Sequence, residues 1–184
     1  MLTRRTSRET RRFVFSGAVG IAIATLTCPA ALADSVNYDG LPVDPNVITD
    51  SVAYQADAPV IDPDGQPGIK VVYTHRDGTR AITDTVVMLS DPQAATAALD
   101  ARRGDALADI PGASSRPMAI GDSGTLITGQ ATNGQAESVL LFTRGPAVAA
   151  VRFNGSAGDP VPLDLVTDYG KQQDANIRAV LNTA

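Results

Sequence analysis

Ile69-Lys70-Val71-Val72-Tyr73-Thr74-His75-Arg76-Asp77-Gly78-Thr79-Arg80-Ala81-Ile82-Thr83-Asp84-Thr85-Val86-Val87-Met88-Leu89 is the stretch on which the fold turns. Both ends are rich in β-branched and aromatic side chains, which suit a pleated, half-buried surface. Between them Asp77-Gly78 carries the signal of a tight turn. The pattern predicts a hairpin of two antiparallel strands, Ile69 to Thr74 and Ile82 to Leu89.

Toward the C-terminus, Ser90-Asp91-Pro92-Gln93 predicts a helix start, with Ser90 as cap, Pro in the first turn and Gln three residues after the cap. Ala94, Ala97, Ala98 and Leu99 supply an apolar stripe, and Gly104 offers a stop after about a dozen residues. Ile110 to Ser115 reads as a loop. Three strands follow, Thr125 to Gly129, Ser138 to Thr143 and Ala147 to Phe153, punctuated by Asn133-Gly134 and Arg144-Gly145, and this spacing implies an antiparallel meander. A closing helix is expected from Leu163 to Leu181, because Leu163, Val166, Gly170, Gln173, Ile177, Val180 and Leu181 recur at three- and four-residue steps. Gly170 in its middle costs roughly 1 kcal/mol against Ala, which suggests close packing or a bend there.

Toward the N-terminus, residues 34–68 are rich in Asp, Pro and Gly, and the X-Pro pairs favour an extended arm with one short strand near Ser51 to Tyr54. Residues 1–33 have the three parts of an export signal. Arg4, Arg5, Arg8, Arg11 and Arg12 form a basic start, Phe13 to Leu26 is an apolar run, and Ala31-Leu32-Ala33 is a cleavage pattern. The run is diluted by Ser16, Gly17 and Gly20 and falls short of the roughly 18 residues that a membrane span needs. Arg11-Arg12 before Phe13 resembles a twin-arginine motif, with general export as the alternative. Lipidation at Cys28 competes with cleavage after Ala33, which would remove that residue.

The order ββαβββα predicts an α+β fold, an antiparallel sheet covered by helices, within a single domain over residues 69–184. That order, with the arm and the terminal helix, resembles the small secreted mycobacterial proteins of the LpqN type, whose fold is similar to that of PsbP and Mog1. The resemblance implies a non-enzymatic envelope protein that binds a partner or an apolar ligand, and it carries over no functional residue.

Composition narrows the chemistry. Of 184 residues only one is Cys and one is His, and none is Trp, so neither a metal centre nor a cofactor is expected. Loss of residues 1–33 removes five of 15 basic groups and one of 20 acidic ones, leaving 10 and 19 and a net charge of −9. Such a surface repels nucleic acid and anionic membranes, since affinity for phosphates depends on Lys and Arg. The preference for Asp over Glu and Arg over Lys, with abundant Ala, fits a GC-rich genome of the actinobacterial kind.

The sharpest local match is Gly121-Asp122-Ser123-Gly124, similar to the nucleophile motif of chymotrypsin-like proteases, with His75 as the available base. Against it stand Thr125 after Gly124, the context of His75, and a spacing of 48 residues in a chain too short for two barrels. The competing reading is a tight turn entering a strand, with Gly for unusual backbone angles and Asp and Ser bonded locally. Asp62-Pro63-Asp64-Gly65 is a fragment of a calcium loop but lacks the closing Glu, since position 73 is Tyr73. Phe142 and Phe153 are assigned to the core. A filled core is expected between the sheet and the closing helix, with a cavity lined by aliphatic side chains, which would suit an acyl chain, as the alternative.

The expectation is therefore an exported, non-catalytic envelope or secreted protein. It would act as a binding or accessory module for an apolar small molecule or an envelope partner protein. The alternative is a small serine hydrolase using Ser123 and His75.

Overall fold

The computed structural model describes residues 37–183, and the expected export signal, the paired arginines and Cys28 lie outside them. The fold is α+β, with three helices and an eight-stranded antiparallel sheet among the described residues. In chain order the elements are α1 (Pro45–Thr49), β1 (Tyr54–Ala56), β2 (Val60–Ile61), a 3-10 turn (Pro63–Gly65), β3 (Gly68–His75), β4 (Ala81–Met88), α2 (Pro92–Asp109), β5 (Ser114–Met118), β6 (Ser123–Gln130), β7 (Ala136–Arg144), β8 (Ala147–Gly155) and α3 (Leu163–Thr183). The sheet runs β1-β3-β4-β8-β7-β6-β5, with β2 also paired to β3. The expected hairpin is β3–β4 and the expected meander is β6-β7-β8, joined where β4 pairs with β8.

Because side chains alternate across a sheet, each strand divides its residues between two cores. On one face Leu126, Leu140, Phe142, Val151 and Phe153 pack against Val166, Tyr169 and Ile177 of α3. On the other, Ile127, Val139, Leu141 and Val148 pack against Ala95, Leu99 and Ala106 of α2. Strand β7 is therefore apolar on both faces, and it reads as a continuous hydrophobic run rather than an alternating one.

Several boundaries differ from expectation, each for a physical reason. Asp91, not Ser90, caps α2: its carboxylate accepts from the Ala94 amide at 2.8 Å, and the Ser90 hydroxyl donates to the same carboxylate. Gly104 does not stop α2, which continues for five residues to Asp109. One interior glycine costs about 1 kcal/mol, and burial of Ala106 and Ile110 beyond it outweighs that. Ser114 and Ser115, expected as the end of a loop, open the edge strand β5, where Pro117 is tolerated because an edge strand leaves part of its backbone unpaired.

The segment read as an extended arm is built into the same core. Asp44 caps α1 through the Asn46 amide, with Pro45 at the first helical position, so the Asp-Pro pair starts a helix there instead of excluding one. Tyr38, Leu41 and Val43 are buried, and Gln173 and Asn176 of α3 donate to the Leu41 carbonyl at 2.6 and 3.3 Å. Residues 38–43 form a strap held against α3.

Gly170 permits close packing, as its cost implies: a Cβ there would come within 2.5 Å of Leu140 and 2.7 Å of Ile120.

Candidate functional site

A cavity of about 500 Å³ lies between the β5-β6-β7 part of the sheet and the start of α3. Leu126, Thr128 and Ser138 contribute to its floor, and Val161, Leu163 and Val166 close it from the loop and first turn of α3. It exists because α3 lies over the middle of the sheet, where Tyr169 meets Phe153 edge to face at 5.4 Å, while β5 and β6 extend past the helix start.

The floor is ordered by strand register. Ser114, Thr128 and Ser138 occupy one cross-strand row, and Arg116, Leu126 and Leu140 the next. The Ser114 and Thr128 hydroxyls bond each other at 2.9 Å. Ser138 is 4% exposed and lines the cavity. Glu137 also borders the cavity, but the pleat turns its carboxylate to the opposite face, where Arg152 donates to it. Arg116 on the edge strand is exposed. Unlike Arg80, Arg144, Arg152 and Arg178, it has no carboxylate partner among the described residues.

The structure keeps Ser123 and His75 apart. Ser123 aligns across the sheet with Thr143, Val148, Val87 and Gly68, four strand steps away, and His75 lies at the far end of that last strand. At the usual strand spacing and rise the two are about 30 Å apart. His75 bonds Asp77 at 2.6 Å and packs edge to face on Tyr54. Asp77 is held well below the usual carboxylate range by the Thr79 hydroxyl and amide, and then by His75.

The Gly-Asp-Ser-Gly segment is a turn-to-turn staple. Gly121 has φ +68°, and a Cβ there would collide with the Thr143 carbonyl and Phe142. The Asp122 amide donates to the Thr143 carbonyl at 2.7 Å, and its carboxylate accepts from the Gly145 amide and Arg144. Ser123 is an exposed first residue of β6. Asp62 and Asp64 both adopt left-handed backbone, and the Asp62 carboxylate accepts from the Gly68 amide. Among the described residues no three His, Cys, Asp or Glu side chains converge as metal ligands would.

One buried charge was not anticipated. Asp84 lies at 1% exposure on the α3 face, accepting from the Val43 amide at 3.1 Å and the Tyr169 hydroxyl at 3.0 Å. Burial pushes its pKa up to about 7 against those two bonds. The alternation of Ile82, Asp84 and Val86 was the available signal, since it places the carboxyl between two core side chains.

No family model matches the chain, and no curated protein is similar to it in sequence. Its fold is similar to the crystal structure of the extracellular domain of PknH from Mycobacterium tuberculosis, with a TM-score of 0.51 and 10% identity over 75% of this chain and 93% of that one. At that identity the likeness is one of fold. It does not extend to the LpqN type.

Proposed function

We propose that this chain is an exported, non-catalytic accessory module of the cell envelope or medium, which holds a small apolar molecule in the cavity beneath the start of α3. The observation that carries the reading is the cavity itself, whose volume of about 500 Å³ lies within the range of small-molecule sites. Its aliphatic walls match what an apolar ligand requires, and its few polar groups lie to one side. The export signal and the extracellular similar structure support a place outside the cytoplasm, and no described helix is long and apolar enough to cross a membrane. The distance between Ser123 and His75 favours this reading over a small serine hydrolase that would use those two residues.

The test is binding of the fluorescent probe N-phenylnaphthylamine. A saturable increase in emission at one probe per chain, lost in Val161→Trp, is the expected result. Failure of the folded chain to bind it, or equal binding by the filled variant, would overturn the proposal.

A further inference from the structure

We propose that the cavity selects an anionic single-chain amphiphile, with a carboxylate held at Arg116 beside the Ser138 hydroxyl and an aliphatic tail along Leu126 and Val166. This inference rests on the binding reading above and names the class of ligand. The floor is amphipathic by register: the hydroxyls of Thr128 and Ser138 lie in the row beside the one that holds Arg116 and Leu126. A wholly apolar ligand would cover the Ser138 side chain, which lines the cavity, and offer its hydroxyl no bond, which is unfavourable for a polar group taken out of water. A ligand with an oxygen at that end satisfies it.

The sign of the head group follows from Arg116. Its guanidinium presents a fork of donors that matches a carboxylate, and no acidic side chain among the described residues neutralises it. The other cations on this face are engaged, Arg144 with Asp122 and Asp174, and Arg178 with Asp174. Glu137, the acid nearest the floor, is paired with Arg152 on the far side of the sheet. In a protein with a strong acidic excess, an unpaired arginine at the rim of an apolar cavity provides a local positive pole, and its edge-strand position leaves it free to reach over the opening. An acyl carboxylate complements both ends of the site.

The test is displacement of N-phenylnaphthylamine from the purified chain by lauric acid and by lauryl alcohol, which share a tail and differ in head group, above the pKa of the acid. Lauric acid should compete about tenfold more tightly, the effect of one charge-assisted hydrogen bond. Arg116→Gln should abolish that preference by weakening the acid far more than the alcohol. Ser138→Ala should weaken both ligands severalfold, and Val161→Trp, or Thr128→Phe as a second filled variant, should block both. Equal competition by acid and alcohol, or a preference that survives Arg116→Gln, would overturn the head-group assignment and leave the apolar site standing. Absence of probe binding to the folded chain would overturn both.

Discussion

The Tyr169 hydroxyl lies 3.0 Å from the Asp84 carboxylate and 2.8 Å from the Val43 carbonyl, so one phenolic proton faces two acceptors. Protonation of Asp84 resolves the competition: the carboxyl then donates to the phenolic oxygen, and Tyr169 donates to Val43. The same carboxyl accepts from the Val43 amide, and its other oxygen is buried without a partner. Strap, sheet and α3 therefore meet at a single titrating group.

Stability should fall as pH rises toward neutrality. The Asp84 carboxyl has an ordinary pKa of 3.8 and a folded pKa raised to about 7, so between those values the folded chain keeps a proton that the unfolded chain has released. The slope of stability with pH is then negative across that window and levels off above about pH 7. Its full extent is on the order of 4 kcal/mol. Below pH 4 the trend reverses, because Asp77, Asp91 and Asp174 have lowered pKa values and lose their stabilising bonds on protonation. Melting temperatures across pH 3 to 8 should peak near pH 4 to 5. Asp84→Asn, which imitates the protonated acid, should flatten the upper limb, and a variant that keeps the wild-type slope there would refute the assignment.

Tyr169→Phe should destabilise by about 1 to 3 kcal/mol, because it leaves the buried Val43 carbonyl without its donor and the Asp84 carboxyl without its phenolic partner. Chemical denaturation of both single variants and of Tyr169→Phe with Asp84→Asn should show a coupling above about 0.5 kcal/mol, as for residues that share one network. Additive effects would mean that the two side chains act independently.

The parts of the fold that alternate cleanly were legible in the sequence. Strands β3, β4 and β6 to β8 are carried by β-branched runs between Gly and Asn turns, and α3 by its three- and four-residue period. Strand β5 was not legible, because Ser114-Ser115-Arg116-Pro117-Met118 buries nothing fully and its pairing depends on β6 rather than on its own residues. The strap was missed because Leu41 and Val43 stand between turn formers, and their burial follows from polar side chains on α3 more than a hundred residues away. The cavity under the start of α3 stands where a filled core was the expected reading. Its charged rim could not be foreseen without the β5 register that brings Arg116 beside Leu126.

The two helical glycines should respond in opposite directions. Gly104 in α2 is exposed, with no atom within 4 Å of where a Cβ would stand, so Gly104→Ala should stabilise by about 0.5 to 1 kcal/mol through helix propensity alone. Gly170→Ala gains the same propensity but drives a methyl against Leu140 and Ile120, and overpacking of this kind costs about 1 to 3 kcal/mol. Thermal melts of the two variants should move up and down respectively. A stabilising Gly170→Ala would mean that α3 is less closely seated on β7 than the structure has it.

The Gly-Asp-Ser-Gly segment separates a turn from a nucleophile by which of its residues matters. If it is a staple, Asp122 carries it, since its carboxylate joins the β7–β8 turn through the Gly145 amide at 2.7 Å and through Arg144, which also grips Asp174. Asp122→Ala should then cost about 1 to 2 kcal/mol, as for hydrogen bonds to a charged group. Ser123→Ala, at an exposed strand start, should stay within about 0.5 kcal/mol of the parent. A nucleophile would need a base within hydrogen-bond reach, and His75 lies at the opposite corner of the sheet. A fluorophosphonate probe should therefore leave Ser123 unmodified in the intact chain and in His75→Ala alike. Covalent labelling of Ser123 that vanished in His75→Ala would show that the two residues meet in solution, and the sheet register described here would then be wrong.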